Sequence, residues 1–315
     1  MTDILTVTMN PAVDLYGATP HVVHTEKLRC ADVQHHPGGG GVNVARVLHR
    51  LGSHCTAYYP AGGARGRQLR DLLDAEGVRS QVTEIAAETR ESLCIHEQCS
   101  GHDYRFVFPG PRLTEVEWRD CLFHLSSRQP APRHVVASGS LPPGVPDDFY
   151  ARLAGVAHRR GSRLTLDTSG PALVAALEAG VYLIKPSLHE FLELTGLSPA
   201  SSEAEWIPAA RRIVDAGQAG MILLSLGQRG ALLVTRDVIL RARSVPVKVE
   251  STVGAGDSLL AGLLWGLDQD AGLEYAFRCA MAAAAAALLA RGTALCQASD
   301  VRRLLERVSI VSVSP

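Results

Sequence analysis

The stretch Ser251-Thr-Val-Gly-Ala-Gly-Asp-Ser258 sets two glycines and a carboxylate at the mouth of a helix-forming run. Gly254 and Gly256 leave the backbone bare, so its N–H groups can approach a bulky anion closely. Ser258-Leu-Leu-Ala-Gly-Leu-Leu-Trp265 reads as a helix. The turn therefore lies at a helix N-terminus, where partial positive charge and unpaired donors suit a phosphate. Asp257 stands where the turn meets the helix. A carboxylate beside an anion site has one obvious chemical task, to take a proton from a hydroxyl that attacks phosphorus. A glycine turn with Asp257 as the helix N-cap fits the same letters.

Working outward, short apolar, β-branched runs alternate with helical patterns. Strands are expected at 4–8, 55–59, 134–138, 163–167, 182–185, 221–225 and 231–235. Helices are expected at 42–51, 66–76, 114–126, 147–160, 171–179, 202–216, 257–266, 273–289 and 300–308. Such alternation implies βαβ units and a mostly parallel sheet covered on both faces. Ligands then bind beyond the carboxyl ends of the strands. The length of 315 residues suits one α/β unit spanning 1–315. Two segments, about 14–36 and 84–108, lack helical signals. Leu93-Cys-Ile-His-Glu97 and Tyr104-Arg-Phe-Val-Phe108 read as strands of a separate antiparallel sheet. That sheet is a lid, an oligomer interface, or a long hairpin on the main sheet.

Composition excludes several classes. Lys plus Arg is 31 against 32 Asp plus Glu, a net charge of −1, without the basic excess of a nucleic-acid binder. Seven scattered cysteines with no C-x-x-C pair point to reduced thiols in a cytoplasmic protein. His21, His24, His35 and His36 lack metal-ligand spacing and read as surface residues. The N-terminus has no signal-peptide pattern, and the longest uncharged apolar run, 279–290, is too short to span a membrane.

Further clusters follow expected strands or open helices. In Pro37-Gly-Gly-Gly-Gly-Val-Asn-Val-Ala-Arg46, Gly39 and Gly40 let a small polar ligand lie on the backbone, and Asn43 offers a donor and an acceptor. The run is not G-x-G-x-x-G, and no P-loop pattern occurs. Asp14, ending Asn10-Pro-Ala-Val-Asp14, can accept from sugar hydroxyls or form a turn. Ser138-Gly-Ser140 follows an apolar strand. Lys27, Arg29, Arg90 and Arg105 all fall in the lid-like segments, as an anion pocket or as solvated surface. In Lys185-Pro-Ser-Leu-His-Glu190, Glu190 can hold Mg²⁺ through water or complement a helix dipole. Ser225-Leu-Gly227-Gln-Arg-Gly230 can wrap a nucleotide or close a hairpin.

Taken together, the glycine run with Asn43, Ser138–Gly144 and Thr252–Asp257 resemble the ribokinase-like (PfkB-type) carbohydrate kinases, from Asn10 to Cys296. Lys27-Leu-Arg-Cys30, Pro60-Ala-Gly-Gly-Ala64, Tyr104-Arg-Phe-Val107 and Gly292-Thr-Ala-Leu-Cys296 look like members that act on sugar phosphates. The resemblance implies a Rossmann-like three-layer α/β/α domain with a small antiparallel β lid that pairs in a homodimer. It implies ATP-dependent phosphorylation of fructose 6-phosphate at its C1 hydroxyl. Kinases of fructose 1-phosphate or tagatose 6-phosphate are close alternatives, and a weakly catalytic sugar-phosphate-binding relative is an alternative of another class. Carried over, Asp257 is the base, and the amides of Gly254, Ala255 and Gly256 form the anion hole. Asp14, Gly39, Gly40, Asn43 and Ser138 or Ser140 bind sugar hydroxyls. Arg90, Lys27 and Arg105 bind the sugar's phosphate, with Lys27 supplied by a neighbouring subunit. Lys185, Ser187, Ser225, Gly227 and Gly230 line the ATP site, with Glu190 holding Mg²⁺ through water. Ser251, Val253, Ala287, Ala290, Gly292 and Ala294 hold K⁺, mostly by backbone carbonyls. The family's Asn-x-x-Glu motif reads Ser187-Leu-His-Glu190 here, with a shorter side chain and no amide.

Overall fold

A computed structural model describes residues 4–313; residues 1–3 and 314–315, the ends of the expected single unit, lie outside the described residues. The chain opens with β1 (Ile4–Val7), β2 (Ala12–Thr19), β3 (Ala31–Gly38), α1 (Gly40–Arg50), β4 (Cys55–Ala61), α2 (Gly63–Ala75) and β5 (Ser80–Glu84). It continues through β6 (Arg90–Glu97), β7 (Asp103–Val107), α3 (Glu115–Ser127), β8 (His134–Ser138), α4 (Phe149–Arg159), β9 (Arg163–Asp167), α5 (Gly170–Ala179) and β10 (Val181–Ile184). The last part holds α6 (Leu188–Thr195), α7 (Glu203–Asp215), β11 (Ala219–Ser225), β12 (Ala231–Thr235), β13 (Ile239–Ala242), α8 (Ala255–Asp268), α9 (Leu273–Ala287), α10 (Ala298–Leu305) and β14 (Ile310–Ser312).

Ten strands form the main sheet in the order β14-β13-β12-β11-β10-β9-β8-β1-β4-β5. It is parallel from β5 to β11, and β12, β13 and β14 pair antiparallel at one end. Alternate residues feed two cores, as the two-residue period of a strand requires. Ile4 and Val136 join α1, α2, α8, α9 and α10, whereas Leu5, Val135 and Ala137 join α3 to α7. The result is the three-layer α/β/α arrangement.

β1 sits between β4 and β8, so the chain leaves it in one direction and later resumes on its other side. That reversal opens a crevice beyond the carboxyl ends of the strands. The second sheet, β3-β2-β6-β7, stands apart from the first. Its outer pairings are antiparallel, and its central pair, β2 with β6, is parallel from Ala12↔Arg90 to Thr19↔Glu97. Glu84, placed by sequence at the start of the lid segment, ends β5 in the main sheet. Strands β2, β3, β5, β13 and β14 and helix α6 were not among the expected elements; β3 is largely exposed and has no apolar alternation to betray it.

The run of alanines belongs to α9, packed along α8. The two backbones approach so closely that a Cβ on Gly262 would sit 2.6 Å from the Cys279 carbonyl oxygen and 2.7 Å from the Ala283 Cβ. This contact fixes the axis of α8, whose first turn carries Asp257. Among the described residues, no helix is long and apolar enough to cross a membrane. Gly262→Ala should force α8 and α9 apart and lower the unfolding free energy by about 1–3 kcal/mol; an unchanged denaturation midpoint would show that the helices have room to spare.

Candidate active site

Four neighbouring parallel strands deliver polar side chains to one rim: Ser138 at the end of β8, Asp167 at the end of β9, Lys185 just after β10 and Ser225 at the end of β11. Above them lies a cavity of about 660 Å³, closed on its far side by Arg90 and Arg105 of the second sheet. Asp14, Gly39, Gly40, Asn43, Ser140, Ser187, Glu190, Gly256 and Asp257 also line it. Sequence reasoning missed Asp167, which looked like an ordinary strand end; its signal was its place at the carboxyl end of a parallel strand.

The glycine run is explained by contact. A Cβ on Gly38 would land on the Asp14 carboxyl group, and one on Gly40 would land on the Ser138 hydroxyl. Ser138 donates to Asp167 Oδ2 at 3.2 Å, and Ser140 accepts from Asn10 Nδ2 at 3.1 Å. Both serines are therefore anchored, Ser138 buried and Ser140 exposed. Arg90 is held by the carbonyls of Asn10 and Phe108 at 3.0 and 2.9 Å, which aims it across the cavity from the Ser-Gly-Ser loop.

Gly254, not Asp257, is the N-cap of α8, in the left-handed conformation at φ 73°. That removes the capping reading of Asp257, which lies in the first helical turn with its carboxylate recessed in the cavity. Asn43 Nδ2 donates to Asp257 Oδ2 at 2.8 Å. Burial, then the charge of Asp167, pushes Asp257 up to about 6, against the opposing pull of Asn43, Lys185 and Arg105. Asp14 also rises to about 6, through burial, with Arg105, Arg46 and Arg90 opposing. Lys185 Nζ bridges to Asp167 Oδ1 at 3.1 Å and lies 3.5 Å from where a Cβ on Gly256 would be. Burial alone would lower its affinity for a proton, but the carboxylates of Asp167, Asp257 and Glu190 outweigh it, so it stays cationic beside the bare turn. The Ala255 amide points to the Thr252 carbonyl at 3.4 Å, the limit of a hydrogen bond, so it is the least available of the expected anion-hole donors.

Ser187 and Glu190 form a reciprocal capping box on α6: the Ser187 N–H donates to Glu190 Oε2 at 2.7 Å, and the Glu190 N–H donates to Ser187 Oγ at 3.3 Å. S-x-x-E is itself a capping signature, so serine here has a structural task of its own. Glu190 still lines the cavity, facing the side of Asp167.

Several expected residues do not reach the cavity. Lys27 and Arg29 are exposed on the connection between β2 and β3. Gly227 and Gly230 belong to a short 3₁₀ turn joining the antiparallel β11 and β12, a hairpin, and only Ser225 of that loop lines the cavity. Ser251, Val253, Ala287, Ala290, Gly292 and Ala294 lie outside it. Two of their carbonyls already accept hydrogen bonds: Ala294 from Arg50 at 2.5 Å and Ala287 from the Ala290 N–H at 3.1 Å. Ser251 Oγ donates to Asp103 Oδ2 at 2.8 Å, tying β7 of the second sheet to the glycine turn, and His96 engages the other oxygen at 2.8 Å. His21, read as a plain surface residue, lies with Glu97 and Cys99 so that their ligand atoms fall within 4.8 Å of one another. The Glu97 carboxylate there is taken up by the Val22 N–H and the Ser100 and Tyr104 hydroxyls.

The model of the pfkB family of carbohydrate kinases matches residues 5–300. The ATP-dependent 6-phosphofructokinase isozyme 2 of Mycobacterium tuberculosis (strain ATCC 25618 / H37Rv) is 45% identical over 303 residues, 96% of this chain and 89% of that protein. Its counterpart in Escherichia coli (strain K12) is 39% identical over 310 residues, 98% of this chain and 100% of that protein. The crystal structure of phosphofructokinase-2 from Escherichia coli in complex with substrates and products superposes with a TM-score of 0.92 at 39% identity, covering 96% of this chain and 98% of that one. The same enzyme has been solved in complex with potassium, at a TM-score of 0.92, and as a tetrameric inhibited form, at 0.91.

Because Asp257 binds its proton more tightly folded (about 6) than unfolded (3.8), its contribution to stability is full below pH 4 and is lost as pH rises through 6. Asp257→Asn should therefore stabilise the fold at pH 7.5 by about 1–3 kcal/mol, the upper figure corresponding to the full shift, with the gain shrinking at pH 5. Equal melting temperatures for the two proteins at pH 7.5 would contradict a charge held at a cost.

Proposed function

Since the chain belongs to the pfkB family of carbohydrate kinases, we propose that it transfers the γ-phosphoryl group of ATP to the C1 hydroxyl of fructose 6-phosphate, giving fructose 1,6-bisphosphate. The observation that carries this reading is the pairing, in one cavity, of a carboxylate tuned to about 6 at a bare helix N-terminus with two arginines from the second sheet. Asp257 is near the working pH of a general base. Arg90 and Arg105 supply the forked donors that a phosphate already on the sugar would need, and a neutral sugar would not call for them. Asp14, Asn43 and the backbone at Gly39 and Gly40 face the space between, where ring hydroxyls would lie, with Ser140 the more accessible serine.

In this reading Asp257 removes the proton from C1–OH as the oxygen attacks in line. The first-turn amides of α8, above all that of Gly256, together with Lys185, stabilise charge on the moving phosphoryl group. Asp167 and Glu190 are the carboxylates that would hold Mg²⁺, whose role is to neutralise the nucleotide phosphates. Lys185, Ser187 and Ser225 mark the nucleotide side. A K⁺ ion near Ser251 and Gly292 would have to share the Ala294 carbonyl with Arg50. We place the protein in the cytoplasm, where its seven thiols would stay reduced.

The substrate reading is tested by turnover with ATP on fructose 6-phosphate, fructose 1-phosphate, tagatose 6-phosphate and unphosphorylated sugars. Fructose 6-phosphate should give the highest kcat/KM, falling about tenfold per pH unit below roughly 6, and Asp257→Asn should lose on the order of 10³-fold or more in kcat. A preference for free sugars would overturn the substrate, and near-normal turnover of the Asn variant would overturn the base.

Lys27 is exposed on the β2–β3 connection and does not line the cavity of its own chain; in this reading the protein is a homodimer in which the second sheet of one copy brings Lys27 to its partner's site. Lys27→Ala should then raise KM for the sugar phosphate and leave KM for ATP nearly unchanged. A monomeric mass at working concentration would contradict the shared site.

A further inference from the structure

Arg46 lies one turn along α1 from Asn43 and is fully buried. Its Nε and Nη2 donate to the Glu76 carboxylate at 2.6–3.0 Å. Its remaining nitrogen, Nη1, points to three oxygens: the Pro37 carbonyl at 3.0 Å, the Thr293 carbonyl at 3.2 Å and Asn43 Oδ1 at 3.3 Å. A guanidinium has donors and no acceptor. Only the oxygen end of the Asn43 amide can face it, and this dictates where the other end goes. Nδ2 is turned to Asp257, where it donates to Oδ2 at 2.8 Å.

We propose that Arg46 is a positioning residue for the phosphoryl transfer: it locks the Asn43 amide with its NH₂ group toward Asp257 and so holds the proton-accepting carboxylate in place. The proposal rests on the reading of Asp257 as base. An asparagine without this constraint could present its oxygen to the carboxylate, an acceptor against an acceptor, and the base would lose its donor. Arg46 also acts on the sugar side. Its charge favours the ionised form of Asp14 against burial, and its bond to the Pro37 carbonyl fixes the residue before Gly38, which packs on Asp14. Arg50, one turn further on, binds the same Glu76 at 3.1 Å and clamps the carbonyls of Ala294 and Cys296. One buried cation therefore joins the glycine run, the base and the loop after α9.

The charged groups facing Asp257 are Asp167 of β9, Lys185 after β10 and Arg105 of β7. Those facing Arg46 are Glu76 at the end of α2, Arg50 of α1, Asp14 of β2 and His36 of β3. None of these is removed in Arg46→Lys, which keeps the charge but cannot hold Glu76, Pro37 and Asn43 at once.

The test is the pH profile of kcat/KM for wild type, Arg46→Lys and Glu76→Gln, the last loosening the guanidinium from the less buried end should the lysine variant not fold. Loss of the Asn43 donor should move the acidic limb up by about half to one pH unit, with a larger fall in kcat than rise in KM. In an Asp257→Asn background, Arg46→Lys should cost far less in kcat than it does in wild type, because there is no carboxylate left to orient; what remains should be the sugar-side effect, read as a rise in KM. A limb unmoved in both variants, or undiminished additional loss in the Asn background, would overturn the role of Arg46 alone. A wild type with no acidic limb at all would instead overturn Asp257 as base.

Discussion

The structure turns on the difficulty of keeping a carboxylate charged at Asp257. Burial and the neighbouring Asp167 both oppose its ionisation, and the opposition is met by one amide, one ammonium, the Arg105 guanidinium and the first turn of α8. Each of these has a remote origin. Lys185 comes from the end of β10 and Asn43 from α1, while the helix end is set by the close packing of α8 on α9 through Gly262. A site that needs a proton acceptor near neutrality obtains it by leaving this balance unfavourable but small.

The glycines belong to the same economy of space. Gly38 and Gly40 are absences that let Asp14 and Ser138 press against the chain. Because these contacts sit where β3 passes into α1, the junction of the second sheet with the main domain and the wall of the cavity are the same few residues. Asp103 adds a second tie, from β7 to Ser251 at the start of the glycine turn. The second sheet is thus tied to the main domain both at the glycine run and at the glycine turn.

Much of this was legible in the letters because the chemistry is local. Ser251–Asp257 and Pro37–Arg46 carry their turn, helix start and polar group within a few residues, and each puts residues on the cavity: Gly256 and Asp257 from the first, Gly39, Gly40 and Asn43 from the second. The core strands were readable from apolar runs. What was not readable depends on register. Asp167 meets Ser138 because β8 and β9 pair in parallel with those two residues opposite one another. Arg46 looks like the polar edge of an amphipathic helix and is instead fully buried, because α2 brings Glu76 to it. Ser187 read as a lost asparagine, although its spacing to Glu190 already spelled the cap it forms. In the second sheet, the exposed β3 gave no periodic signal, and the parallel pairing at the centre has no local trace.

That parallel pair has a consequence for how the chain is made. A parallel pair cannot close through a tight turn, and here β2 waits for β6 while α1, β4, α2 and β5 are synthesised. On a ribosome the β2–β3 hairpin emerges early with one long edge unfilled, and it completes its sheet only after part of the main domain exists. Non-local pairings of this kind form slowly, and an open edge is a place where another chain can add. The second sheet can therefore be completed only once β6 has followed the first strands and helices of the main domain out of the ribosome.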